Sequence, residues 1–185
     1  MTLAALLTAV LLYLWLSVGR YSMMVNQKIS MRDQMSFILS RIELDTKKTS
    51  DAGVQVAPSG EDSRVSLQQF SGTAQDGMLS WGPRTSLYGF FPEERVLRRW
   101  EDVVRTDASP APQPEPLVPE ELLSFDPHRG VFLRTWPMVE KATFTKSVGR
   151  PILEVKLVLH YEGPRKHGYR LETQQDFLLL NGYQP

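Results

Sequence analysis

The three histidines, His128, His160 and His167, are the residues best suited to bind a metal or to act as a general base. A metal site needs several ligands at a spacing that one element can bring together, as in HExxH, and no histidine lies in such a motif. His160 falls on the polar face of a predicted strand and His167 in a predicted turn, so both are expected to be solvated. The chain has no cysteine, which excludes disulfides, thiolate metal sites and cysteine nucleophiles.

Two pairs of adjacent carboxylates, Glu93 with Glu94 and Glu120 with Glu121, could in principle serve acid–base chemistry. Each pair borders a proline, and neighbours in a turn do not converge on one substrate or one metal ion. The sequence also contains no GxSxG, P-loop or GxGxxG motif. We therefore expect a protein that is not an enzyme, with no cofactor, no metal and no small-molecule substrate.

A cluster of basic and aromatic residues, Arg95, Arg98, Arg99 and Trp100, is the place where nucleic-acid binding would start. Acidic residues flank it on both sides, and the whole chain balances 21 Lys and Arg against 21 Asp and Glu. Without a net basic field, recruitment of nucleic acid is not expected. The cluster is interpreted as a solvated strand face with local ion pairs.

Prolines and glycines divide the chain into two parts. Every proline lies at or after Pro58, and Gly19 is the only glycine before Gly53. Residues 1–50 can therefore form one continuous helix, whereas residues 51–185 must be broken by turns.

The segment 1–19 is almost entirely apolar and carries no charge. Residues 2–18 would form about 26 Å of helix, which is near the lower limit for crossing a bilayer. Aromatic and cationic residues gather at its far end, as expected at a membrane interface: Tyr13, Trp15, Arg20 and Tyr21. We predict a single transmembrane span here, followed by an amphipathic helix over residues 20–48.

The amphipathic helix carries an apolar stripe at close to helical spacing, formed by Met31, Met35, Ile38 and Ile42, with Met24 before them. A run to about Thr46 would be roughly 70 Å long, so it needs partners to hold it. We expect the stripe to cover a β-sheet. The sheet residues expected to meet it are Leu153, Val155, Leu157 and Leu171.

Residues 51–185 are predicted to be rich in β-structure. Apolar residues alternate in PILEVKLVLHY and again in GYRLETQQDFLLL, which predicts an antiparallel hairpin. VFLRTW and MVEKATFTK are predicted as earlier strands of the same sheet, with Pro137 at an edge or bend between them. We predict a strand, a turn and a second strand over RTSLYGF, FPEE and RVLRRWED. Residues 51–63 are a connection, and the proline-rich segment 107–120 is an exposed excursion. The fold class is α+β.

Three interpretations compete for the N-terminal segment. A cleaved secretory signal is supported by Ser17 and Gly19 near a possible cut, but no basic residue precedes the apolar run. A plain signal anchor is the second. The basic residues Arg20, Lys28 and Arg32 all follow the span, so the positive-inside rule would then keep the polar domain in the cytoplasm.

The third interpretation rests on the opening MTLAALLTAV, which resembles the start of mature type IV pilins and pseudopilins. The residues at the family's apolar and threonine positions are Met1, Thr2, Leu3, Leu6, Leu7 and Val10. The resemblance implies that a basic leader ending in glycine is removed and that Met1 becomes a methylated N-terminus. It also implies a pilin-like layout, with the helix in the bacterial inner membrane and the C-terminal domain in the periplasm.

Ala5 departs from the family pattern, because most members carry a glutamate there that is thought to pair with the N-terminal amine of a neighbouring subunit. Within the family, loss of this acid is associated with a minor subunit at the filament tip. The order of Tyr88, Leu97, Arg98 and Trp100 is further similar to that of the J-type minor pseudopilins of type II secretion.

The function that the resemblance implies is that of a non-enzymatic subunit of a type IV pilus or type II secretion pseudopilus, in a tip or priming complex. Its partners would be other minor pilins or pseudopilins, the major pilin and inner-membrane lipid. Helices pack closely in lipid where side chains are small. The expected assembly contacts are Leu3, Ala4, Ala5, Leu7, Ala9 and Gly19. The alternative is a single-pass, membrane-anchored periplasmic binding module unrelated to filaments, with segment 107–120 as its recognition element.

Overall fold

A computed structural model describes residues 2–57, 63–73, 79–101, 121–122, 125, 131–163 and 168–179. Several sequence predictions concern residues outside these ranges. They are the processed N-terminus at Met1, the proline-rich excursion 107–120, and the environments of His128, His167 and Glu120.

The first element is a single α-helix, α1, over Thr2–Thr46. Its 45 residues correspond to about 68 Å at the standard helical rise. The helix ends in a turn in which the Lys48 amide donates to the Asp45 carbonyl at 3.1 Å, and a short 3-10 turn follows at Asp51–Gly53. The helix ends at Thr46, to which the striped run was expected to extend, and this end lies two residues before the boundary at residue 48.

Within the described residues, eight antiparallel strands form two sheets. The first sheet has five strands in chain order: β1 Val54–Ala57, β2 Arg64–Thr73, β3 Leu79–Phe91, β4 Val96–Glu101 and β5 Val131–Trp136. The second has three: β6 Val139–Lys146, β7 Ile152–Glu162 and β8 Gly168–Leu178. One long apolar N-terminal helix with antiparallel sheets is an α+β layout, so this prediction is confirmed.

The prediction that VFLRTW and MVEKATFTK share a sheet with the C-terminal hairpin is wrong for VFLRTW and correct for MVEKATFTK. VFLRTW forms β5 of the five-stranded sheet, whereas VEKATFTK forms β6 of the three-stranded sheet. The chain changes sheet at Pro137 and Met138, where proline cannot donate to a ladder and Met138 has a positive φ of 61°. In addition, the segment 51–63 is not a plain connection, because it contains β1.

The predicted C-terminal hairpin is present as β7 and β8, with register from Ile152 opposite Leu178 to Glu162 opposite Gly168. The alternation in β7 places Leu153, Val155 and Leu157 in the interior. Both sheets and the second half of α1 contribute to one continuous core. The helix therefore lies against both sheets at once and closes the core between them.

Candidate functional site

The candidate site is the helix α1, whose two halves have opposite environments. The first half is exposed along its whole length: Leu3 is 84% and Trp15 74% exposed. Within the described residues, α1 is the one helix long and apolar enough to cross a membrane, and its most apolar window is 0% buried. An exposed apolar helix of this length needs lipid or other helices to cover its surface.

The predicted assembly contacts all lie on this exposed half and do not meet the sheets. These residues are Leu3, Ala4, Ala5, Leu7, Ala9 and Gly19. A side chain added at Gly19 would meet nothing within 4 Å, so the helix backbone is open to a close neighbour at this point. The helix also continues through Gly19 and Arg20 without a break.

The second half of α1 is held by the predicted stripe. Met31, Met35, Ile38 and Ile42 are buried, and Ile38 and Ile42 are 0% exposed. They share one core cluster with Leu153, Val155 and Leu157, while the partly buried Leu171 packs against it. The structure thus brings together all eight residues expected at the contact between helix and sheet. Met24 lies outside this contact and is 46% exposed.

Polar and aromatic contacts fix the helix along its flank. The Gln27 amide donates to the Tyr161 hydroxyl, and the Lys28 ammonium lies 4.8 Å from the centre of the Tyr169 ring. Within the stripe, next to Met35, the Gln34 side-chain amide donates to the carbonyl oxygen of Pro137. Contact between α1 and the sheets therefore reaches back to Gln27, and the preceding residues project beyond the β-strands.

A buried ionic cluster lies at the other end of α1; we call Asp45, Tyr88 and Arg99 the Asp45 cluster. The Arg99 guanidinium donates to both carboxylate oxygens of Asp45, at 2.8 and 3.1 Å, and the Tyr88 hydroxyl donates to one of them at 2.6 Å. Asp45 is 0% and Arg99 2% exposed. A carboxylate in the last turn of a helix opposes the helix dipole and is costly to bury, so it requires this guanidinium.

The interpretation of Arg95 to Trp100 as a solvated face is wrong for two of its residues. Successive side chains of a strand point to opposite faces, and both faces of β4 are covered here, so Arg99 and Trp100 are both buried, on different sides of the sheet. Trp100 belongs to a small second core with Leu87 and Leu122. Arg98 does form the expected local ion pair, with Glu94 in the exposed turn.

The Asp45 cluster could have been found from the sequence, because Asp45 continues the buried stripe. Ile38 and Ile42 precede it by seven and three residues, which are helical spacings onto the same face. A carboxylate on a buried face requires a buried cation. Which arginine supplies it depends on strand register, and the sequence pattern did not single out Arg99.

The surroundings within the cluster shift the pKa values of Tyr88 and Arg99. Burial raises the pKa of the Tyr88 hydroxyl well above its usual value, and the negative charge of Asp45 raises it further. Burial is the largest single influence on Arg99 and opposes its charge, but the hydrogen bonds to Asp45 and Tyr88 and the negative charge of Asp45 together outweigh burial and raise the pKa of the guanidinium. The cluster therefore holds a neutral tyrosine and a firmly charged arginine.

The described residues contain no group of three or more histidine, aspartate or glutamate side chains that could hold a metal ion. His160 is partly buried on β7, and Glu93 and Glu94 are exposed in the turn before β4. The polar groups of the Asp45 cluster bond to one another, so the arrangement is built to hold the helix on the sheets. No known protein family, characterised protein or solved structure matches this chain.

Proposed function

We propose that this protein is a non-enzymatic minor pilin or pseudopilin subunit, which assembles through α1 into a type IV pilus or a type II secretion pseudopilus. The observation that carries the proposal is the division of one unbroken helix into an exposed apolar half and a half built into the β-core. A subunit stored in lipid and then moved into a helical filament needs both halves on one rigid rod.

In this proposal, the apolar half lies in the bacterial inner membrane and the sheets lie in the periplasm. On assembly, the exposed half exchanges lipid for neighbouring helices. Since lipid is as apolar as leucine, close packing at small residues such as Ala9 and Gly19 must drive the exchange. Ala5 leaves no carboxylate to pair with a neighbouring N-terminal amine, which suits a subunit at the tip or in a priming complex.

The buried stripe and the Asp45 cluster support the mechanical part of this role. A filament subunit must carry its β-domain along when its helix is withdrawn from the membrane. The core cluster fixes the middle of α1 to the sheets, and the bidentate pair between Asp45 and Arg99 fixes its end. Force applied to the apolar half would therefore reach the sheets through packed side chains, with no flexible linker between them.

Site-specific cross-linking tests the proposal, because the chain has no cysteine of its own. Ala9→Cys and Gly19→Cys are expected to cross-link to cysteines in the helices of sibling pilins or pseudopilins expressed from the same bacterium. Val148→Cys is the matched control, since this residue is fully exposed but lies in the turn between β6 and β7.

Two results separate the proposal from a membrane-anchored binding module. For a filament subunit we expect cross-links through the helix. We also expect a methylated Met1, which intact mass would detect. An inserted protein with an unprocessed N-terminus and no helix cross-link to any sibling would contradict the proposal and favour the module.

A further inference from the structure

Arg20, Lys28 and Arg32 are exposed cations on α1 with no acidic partner among the described residues. Some other cations of the described residues do have acidic partners: Lys47 pairs with Glu43, and Lys156 with Glu172. The first acidic residue in the chain is Asp33. Although the whole chain has no net charge, the helix between its apolar half and the β-core is therefore positively charged.

Arg20 and Lys28 face a corner between the helix and the β7–β8 hairpin; we call these two residues the basic junction. Arg20 precedes Met31 by eleven residues, about three helical turns, so it lies on the side of α1 that the sheets cover further along. Lys28 contacts Tyr169 at the start of β8, and its neighbour Gln27 contacts Tyr161 near the end of β7. The corner is thus bounded by helix on one side and hairpin on the other.

Both cations come within reach of a lipid headgroup layer, which is about 5–8 Å thick on each side of the bilayer. Arg20 directly follows the apolar segment, at the level where headgroups begin. Lys28 lies about 12 Å further along the helix, and helical side chains lean toward the N-terminus, here toward the membrane. Arg32 lies about 18 Å beyond Arg20, which is more than two screening lengths at physiological salt.

We propose that the basic junction, Arg20 and Lys28, binds the headgroups of anionic phospholipids in the corner between α1 and the β7–β8 hairpin. The phosphate groups supply negative charge to two cations that have no acidic partner among the described residues. Such contacts would hold the β-domain at a fixed height and orientation above the bilayer, ready for lateral contact with other subunits. The inference rests on the membrane location in the proposed function, but not on filament assembly.

The test uses the full chain reconstituted in vesicles of phosphatidylcholine, with or without phosphatidylglycerol. Electron paramagnetic resonance with spin-labelled lipids measures the preference of the protein for the anionic over the neutral lipid. The wild-type protein is expected to prefer phosphatidylglycerol, and Arg20→Gln and Lys28→Gln are each expected to lower that preference on the order of fivefold. Lys28→Arg should retain it, and 1 M salt should abolish it.

Arg32→Gln is the matched control, since it removes the same charge from the same helix at a greater distance and should leave the preference nearly unchanged. Equal preference for both lipids in the wild type, or an equal loss in Arg32→Gln and Lys28→Gln, would overturn the inference while leaving the filament proposal standing. Failure of the wild type to enter either kind of vesicle would overturn both, because the membrane location itself would then be wrong. Circular dichroism verifies that each variant keeps its fold.

Discussion

At the scale of single residues, the Asp45 cluster is the most specific feature of the molecule. Hydrophobic burial alone would tolerate small rotations of α1 about its axis, because the stripe is formed by flexible methionines and by isoleucines. A bidentate pair between Asp45 and Arg99 has a fixed geometry and allows one rotation and one axial position. The cluster therefore selects a unique docking of the helix.

Replacing one member of the pair should be far more damaging than removing an exposed ion pair. Asp45→Asn removes the buried carboxylate that binds Arg99 and leaves it the partly exposed Glu101, 3.6 Å away, and we expect a loss of about 3–5 kcal/mol in the free energy of unfolding. The double variant Asp45→Asn/Arg99→Met should recover most of this loss, because the poorly compensated buried charge is gone. Urea denaturation in detergent measures the free energy of unfolding of the wild type, the single variant and the double variant.

Lys47→Gln is the control for this comparison, since it breaks an exposed pair with Glu43 one turn away. It should change the stability by less than about 0.5 kcal/mol. If Asp45→Asn were as mild as Lys47→Gln, the cluster would not be fixing the helix.

The raised pKa of Tyr88 predicts a loss of stability in alkali. The folded state keeps this hydroxyl protonated above pH 10, where the unfolded state has released the proton, so unfolding becomes more favourable as pH rises from about 10. Tyr88→Phe removes the titrating group. It should cost about 1–2 kcal/mol at neutral pH but show a shallower decline above pH 10.

Thermal unfolding between pH 8 and pH 11 tests this difference in slope. Tyr13→Phe is the control, because Tyr13 is exposed on the apolar half of the helix. It should leave the alkaline slope unchanged, and a decline in Tyr88→Phe as steep as in wild type would contradict the assignment.

At the scale of elements, α1 was predictable because its two signals are local. An uncharged apolar run and a stripe at helical spacing are both readable from residues close together in the sequence, and Met31, Met35, Ile38 and Ile42 are buried as the stripe required. The assignment of β5 failed because sheet membership is not local. The chain leaves one sheet and enters the other within Pro137 and Met138, and alternation within a strand does not reveal its neighbour.

Two isoleucines of α1 provide a matched test of the buried stripe. Ile38 is 0% exposed and belongs to the core, whereas Ile29 lies on the opposite face and is 51% exposed. Ile38→Ala should destabilise the protein by about 2–5 kcal/mol through the lost burial and the cavity, and Ile29→Ala by less than about 1 kcal/mol. Denaturant unfolding compares the free energies of unfolding of the two variants. The pair is matched because both substitutions change helix propensity by the same amount.

A stronger form of the test uses a charge. Ile38→Asp should detach α1 from the sheets and expose the β-domain to protease, since an unpaired carboxylate cannot be buried there. Ile29→Asp should remain as resistant as wild type. Unchanged resistance in Ile38→Asp would show that the stripe does not cover the sheets.

At the scale of the whole molecule, the core is formed by the second half of α1 and both sheets, so the apolar half should contribute nothing to the stability of the β-domain. Deleting residues 1–22 should give a protein that no longer needs detergent, with a free energy of unfolding within about 0.5 kcal/mol of the full chain when both are measured in the same detergent. Deleting residues 1–36 also removes Met31 and Met35, and should lower stability by about 4 kcal/mol or more. A large loss already in the shorter deletion would mean that the apolar half packs against its own domain, and it would then not be available to lipid or to neighbouring helices.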